Sequence, residues 1–407
     1  MADEPAGRLG QPIAVAMGVM GAWMLVMPAS TVTLALSVER AGGSTRAYSV
    51  GLSIGWLLLA VATIAFGALA DRVRAQAPQR LRALVLIALA ACLAVSLILD
   101  SGAAPVVIVV PWILLQIPAA AILGAALSEA AAIADVKRRG IVSGLVGSAA
   151  LLALMVGAPI ALVAGPRWSF SAAAVAGGAL LLPLLRVISR AMLTSPALTT
   201  DPAPTDRNSS HLRSRSPWLV LLGVGFFVSI ATAITNSYVV AITGSVLSVG
   251  ESAISAEALA TFAIVIASLL AVVASVVAGA FLPTARRTAT VWVFALALLV
   301  ASLLVIVAVP SVTTLLIGVA GFGIAFGIIN SGELTLALEA RPEIEHGGRT
   351  VATFTAATTA PYVIVPAMVA LIPAAEDHSL TMVSSAAVAG LIGLVLTIIL
   401  RRVISRR

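Results

Sequence analysis

Twelve long apolar runs, broken by short polar loops and one long polar segment, leave this chain few folds to choose from. They cover 12–38, 48–70, 81–100, 105–131, 141–164, 168–188, 217–243, 256–282, 288–309, 311–338, 350–372 and 379–400. A run of about 20 apolar residues crosses the hydrocarbon core of a bilayer as a helix, which satisfies its own backbone groups where no water can. A closed barrel would satisfy them too, but it needs short alternating strands. These runs are continuous and rich in Ala, Leu, Val and Gly. Only 10% of the residues are charged, whereas a soluble domain carries about 25%. Mean hydropathy is +1.12. The expected fold class is an all-α polytopic membrane protein with 12 transmembrane helices. The first run is too long for a cleaved signal peptide and reads as a retained span.

Basic residues orient the spans. With the N-terminus inside, 21 of the 24 Lys and Arg fall on one face, and only Arg40, Arg46 and Arg167 fall on the other. Positive charge is retained on the cytoplasmic side, so both termini are expected there, in a plasma membrane crossed many times. The net charge of +7 comes from these inner loops. It points to anionic lipid headgroups, not to nucleic acid. Residues 190–216 carry nine Ser or Thr, three Pro and six charges, which is a linker composition. The expected organisation is a six-helix bundle over 1–189, a cytoplasmic linker over 190–216 and a second six-helix bundle over 217–407. An internal repeat supports this division. "VATIAFGALADRVR" from Val61 and "VASVVAGAFLPTAR" from Val273 agree at five of 14 places, and both stand at the inner end of the second span of their half.

At this point the chain resembles the major facilitator superfamily. The six-plus-six plan with a long inner linker is one part of that likeness. Another is "GALADRVRAQ", from Gly67, which looks like the family's loop signature; Gly67, Asp71 and Arg72 match it, while Arg74 stands where a glycine is usual. The third is the fourth-to-fifth span region, with Asp135, a basic cluster, and then Gly157 and Pro159. The resemblance implies a transporter that rocks two halves around a central site lined by spans one, four, seven and ten. It also implies a gating role for Gly67, Asp71, Arg72 and Arg74. Gly67 would allow close helix approach. Asp71 would accept hydrogen bonds at the start of span eleven, after His346, Gly347 and Gly348, when the inner gate is shut. The alternative is that these residues are topology charges on a solvated loop.

Polar residues inside the spans are few, and each is a functional candidate by default. Gln116, Asn236, Tyr238 and Asn330 are the substrate-contact candidates, because amides offer both donors and acceptors. Their alternative role is an interhelical hydrogen bond. Gln116 stands where the family often places an arginine. Glu129 and Glu333, near the inner ends of spans four and ten, are candidates for proton or cation coupling, or for ion pairs with Arg138, Arg139, Arg341 or Arg349. Cys92 is the single cysteine and reads as a packing residue. With His211, His346 and His378 in separate loops, no metal site is expected. Nor is a cofactor, since no Gly-x-x-x-x-Gly-Lys-Ser/Thr loop for ATP is present.

The expected activity is secondary transport of a small neutral, apolar or amphipathic solute by a monomer, with protons or another ion as the coupling partner. "GAPIALVAG" tilts the direction towards export. The rival reading is a transport-inactive membrane sensor or partner protein, and an enzyme is not expected.

Overall fold

The computed structural model describes residues 5–102, 104–134, 139–165, 167–194, 216–248, 256–282, 284–340, 347–371 and 379–405. It is built of helices: α1 (Pro5–Met24), α2 (Leu34–Arg40), α3 (Thr45–Gln76), α4 (Pro78–Asp100), α5 (Pro105–Ile133), α6 (Arg139–Ala164), α7 (Ser169–Thr194), α8 (Ser216–Ser237), α9 (Val239–Ser248), α10 (Ala256–Phe281), α11 (Ala285–Ala308), α12 (Val312–Ala340), α13 (Gly347–Leu371) and α14 (Ser379–Ser405). Among the described residues, 12 helices are long and apolar enough to cross a membrane, and each falls on one of the expected runs. They form two bundles of six. The face carrying the start of α1, the end of α7, the start of α8 and the end of α14 is called the linker face below; the opposite one is the far face.

Spans one and seven are interrupted, and the causes differ. In span one, α1 stops at Met24 and a π-helical turn over Ala29–Thr33 leads into α2. Pro28 has no N–H, and its ring conflicts with the carbonyl one turn earlier. The disturbed backbone is satisfied locally: Ser30 Oγ and Thr31 Oγ1 donate to the Met27 carbonyl at 3.0 and 2.9 Å. In span seven the interruption is at Tyr238, with no proline near. Just before it, Thr235 Oγ1 donates to the Ala231 carbonyl at 3.0 Å, a back-bond that bends helices.

Lipid is as apolar as leucine, so small residues that admit close backbone contact hold the helices together. A Cβ at Gly21 of α1 would sit 2.6 Å from the Gly177 carbonyl of α7, and one at Gly177 would sit 2.8 Å from that of Gly21. Gly157 of α6 faces the ring of Pro28, so α6 packs directly on the break in span one. Carboxylates close helix starts. Asp100 accepts from the Phe170 and Ser171 amides at 3.0 and 2.8 Å, which caps α7. Glu339 Oε2 accepts from Ala285 N at 3.1 Å and caps α11. Cys92, Trp112 and Trp292 are buried as packing residues, while Trp168, at the far-face start of α7, is 59% exposed.

Candidate functional site

A cavity of about 130 Å³ lies between the two halves, walled by spans one, two, four, five, seven, ten and eleven. The first half contributes Val19, Trp23, Met27, Trp56, Leu123 and Leu127, with Ser143 as its hydroxyl. The second half contributes Ser229, Thr232, Asn236, Asn330, Glu333 and Tyr362, together with the threonines of α13. Tyr362 joins the two walls. Its ring packs on Trp56 at 4.8 Å between centroids, and Trp56 packs on Trp23 at 6.4 Å. Its hydroxyl donates to Thr232 Oγ1 and accepts from Asn236 Nδ2, both at 3.3 Å. Thr358 and Thr359 line the cavity but donate to the Thr355 carbonyl of their own helix.

Glu333 and Asn330 lie one helical turn apart on α12 and both face the cavity. Among the described lining residues Glu333 is the one carboxyl, and none is Lys, Arg or His.

Two sets of ties hold the halves together. On the far face, Tyr48 Oη of α3, which donates to the Ser30 carbonyl of its own half at 2.8 Å, also reaches the Ser237 carbonyl of the second half at 3.4 Å. Ser49 Oγ pairs with Tyr238 Oη at 3.2 Å, and Ser53 Oγ donates to the Val363 carbonyl at 2.7 Å. Towards the linker face, Ser143 Oγ of α6 donates to the Ser331 carbonyl of α12. Ser275 Oγ of α10 donates to the Gly144 carbonyl at 3.0 Å.

Of the residues singled out in the sequence, Asn236, Asn330 and Glu333 come together in the cavity. Tyr238 does not line it; it is a far-face tie at the break in span seven. Gln116 does not line it either. It is buried, its Nε2 donates to the Trp112 carbonyl at 3.1 Å, and its Oε1 has no hydrogen-bond partner. It faces α3 at Gly55, whose missing side chain leaves room for the Trp112 indole. Glu129 is buried and lies outside the cavity lining. Asp71 Oδ1 accepts from Ser128 Oγ at 2.6 Å, so α3 is tied to α5 within the first half. Gly67 serves the same pair: a Cβ at Gly124 of α5 would lie 2.8 Å from Gly67 N. Arg72 and Arg74 are exposed. Residues 195–215 of the linker, Asp135, Arg138, Arg341 and His346 lie outside the described residues, as do the side chains of Arg139 and Arg349.

The sequence reading missed Trp56 and Tyr362 as cavity residues and Asp100 and Glu339 as helix caps. The signal for Tyr362 was a tyrosine within a threonine-rich apolar run.

Comparison with known proteins gives three findings. The sequence profile described as the Major Facilitator Superfamily matches residues 13–366. No curated protein matches the chain. Among solved structures, the crystal structure of the human organic anion transporter MFSD10 (TETRAN) is similar with a TM-score of 0.65 and 14% identity, over 98% of this chain and 100% of that one. At that identity the likeness is one of fold.

Proposed function

Because the chain belongs to the major facilitator superfamily, whose members transport solutes across membranes, we propose that it moves a small amphipathic molecule by alternating access, outwards from the cytoplasm. The linker face is taken as cytoplasmic from the basic asymmetry. The observation that carries the substrate class is the split between the walls. Trp23, Trp56 and Leu127 offer apolar area from one half, and the other sets the donors and acceptors of Asn236, Asn330 and Tyr362 among its own apolar Phe326, Leu334 and Phe354. Gln116 and Tyr238, outside the lining, are left to packing and to the far-face tie.

An anionic substrate, as named for the human neighbour, finds no cationic partner among the described lining residues. Glu333 is the group to which coupling is assigned. A carboxyl in the cavity can exchange a proton with whichever face is open, and a bound solute on Asn330 and Tyr362 would compete with that exchange. The test is flux of a chemically mixed solute library into proteoliposomes, with and without a pH gradient. Gradient-dependent movement of amphipathic solutes is expected. Absence of any flux from folded protein would overturn the proposal in favour of a sensor. Movement of organic anions alone would overturn the substrate class.

A further inference from the structure

At the linker-face edge of the second half, the end of α10, the start of α11 and the end of α14 enclose a groove of about 530 Å³. Its polar lining is Arg286, Arg287 and Arg401 with the hydroxyls of Thr284 and Thr290, and no acidic side chain is among its described lining residues. The three arginines are exposed.

Two features make this cluster more than a set of topology charges. Arg286 and Arg287 stand side by side in the first turn of α11, whose own sequence there holds no acid; the nearby Glu339 carboxylate is engaged on the Ala285 amide. Thr284 holds the N-cap position, yet its side chain makes no capping hydrogen bond. An anion in the groove would balance the three guanidinium charges and could accept from the Thr284 hydroxyl. The other feature is what adjoins the charges. Phe281, 71% exposed, and Val291 line the same groove. From Arg287, residues Val291, Phe294 and Leu298 continue along one face of α11 at helical spacing, and Phe294 is 70% exposed. From Arg401, the exposed Ile398 and Leu391 do the same along α14. The guanidinium groups thus stand at one end of an apolar strip facing the surrounding medium.

We propose that this groove seats an anionic glycerophospholipid of the linker-face leaflet, with its phosphate on Arg286, Arg287 and Arg401 and its acyl chains along the α11–α14 seam. Planar guanidinium forks match phosphate oxygens, and the exposed apolar strip matches the chains. A soluble phosphate would use the first feature and leave the second without purpose.

The test is native mass spectrometry of the detergent-solubilised full chain, offered phosphatidylglycerol, phosphatidylcholine, or glycerol phosphate. Retention of phosphatidylglycerol should exceed that of phosphatidylcholine by roughly tenfold or more. It should fall to the phosphatidylcholine level in Arg286→Gln/Arg287→Gln/Arg401→Gln. The far-face variant Arg40→Gln/Arg46→Gln/Arg167→Gln loses the same charge and should retain the lipid. The proposal is overturned by equal retention of both lipids, by equal loss in the far-face variant, or by full displacement with millimolar glycerol phosphate. Circular dichroism of both variants confirms that each is folded before the comparison is read.

Discussion

The first half lines the cavity with Val19, Trp23, Met27, Trp56, Leu123 and Leu127 and the hydroxyl of Ser143, whereas the second adds Ser229, Thr232, Asn236, Asn330, Glu333 and Tyr362 to apolar residues of its own, Phe326, Leu334 and Phe354 among them. Both halves have the same six-span plan, and spans one, four and five meet their counterparts seven, ten and eleven at the cavity, with span two added through Trp56. What differs is where each half keeps its polar groups. Glu129 and Glu333 stand on corresponding spans, four and ten. Glu333 faces the cavity, while Glu129 is buried outside it, towards the linker-side edge of its own half. The repeated plan therefore governs helix positions and leaves side-chain chemistry free. One half offers a nearly apolar wall with a carboxylate, Asp71, tied to Ser128 of its own half; the proposed recognition and proton exchange then fall to the other.

The largest effect expected from this difference is on Glu333. Glu333→Gln keeps the shape and removes the exchangeable proton, so accumulation driven by a pH gradient should fall to that of protein-free liposomes. Substrate exchange without a gradient should survive. Glu129→Gln should retain gradient-driven transport and lose thermal stability instead. Measuring both variants in the same proteoliposome assay breaks the comparison if their roles come out reversed.

The next effect concerns the edge of the apolar half. The Ser128 hydroxyl donates to Asp71 Oδ1 at 2.6 Å, a bond to a charged acceptor worth about 1.5–3 kcal/mol. Ser128→Ala should lower stability by an amount in that range. Asp71→Asn should lower it less, because the amide oxygen still accepts. A gating role for Asp71 at the start of α13 predicts something further. Asp71→Asn would shift the distance between spin labels on the linker ends of the two halves, by a population change of up to about 1–2 kcal/mol, and Ser128→Ala would not. Identical distance distributions in both variants would reduce Asp71 to an intra-half tie.

On the polar wall, Tyr362→Phe removes a hydroxyl bonded to Thr232 and Asn236 while keeping the ring on Trp56. Asn236→Leu removes an amide that faces the cavity. Each should weaken binding of a hydrogen-bonding solute by roughly 0.5–1.5 kcal/mol, up to about tenfold. Binding of a solute without such groups should change little. Equal weakening of both solutes would mean that the polar wall shapes the cavity without reading hydrogen bonds.

Legibility followed the physics of each feature. The spans could be read because length and apolarity are local properties, and Pro28 announced the break in span one. The break at Tyr238 has no such marker. Asn236, Asn330 and Glu333 could be named because a polar group on a span near the axis has few places to go. Gln116 met the same description and went elsewhere. The reason lies in α5, which is apolar on all sides: from Ala119 to Ala130 every residue is buried. A helix without a polar face gives no indication of which side turns towards the cavity. Trp56 and Tyr362 were hidden for a related reason, since an aromatic ring in an apolar run looks alike whether it packs, anchors or lines a site. The caps made by Asp100 and Glu339 depend on helix starts far away in sequence.

Gln116 supplies the smallest expected effect and the sharpest check on the apolar wall. Its Nε2 is bonded within its own helix, to the Trp112 carbonyl, and its Oε1 is buried with no hydrogen-bond partner. A buried acceptor without a partner is a cost, and replacing the whole group by an apolar one of similar shape is close to neutral or favourable. Gln116→Leu should therefore change stability by no more than about 1 kcal/mol, in the stabilising direction if in either. Substrate affinity should match the wild type, because α5 lines the cavity with Leu123 and Leu127, about two and three turns beyond Gln116. Calorimetric melting and substrate titration on the same preparation measure both. A tenfold loss of affinity with unchanged melting, the pattern expected for Asn236→Leu, would show that α5 turns Gln116 into the cavity in another state of the cycle. The first half would then contribute to recognition, and the division of labour between the walls would hold for one state only.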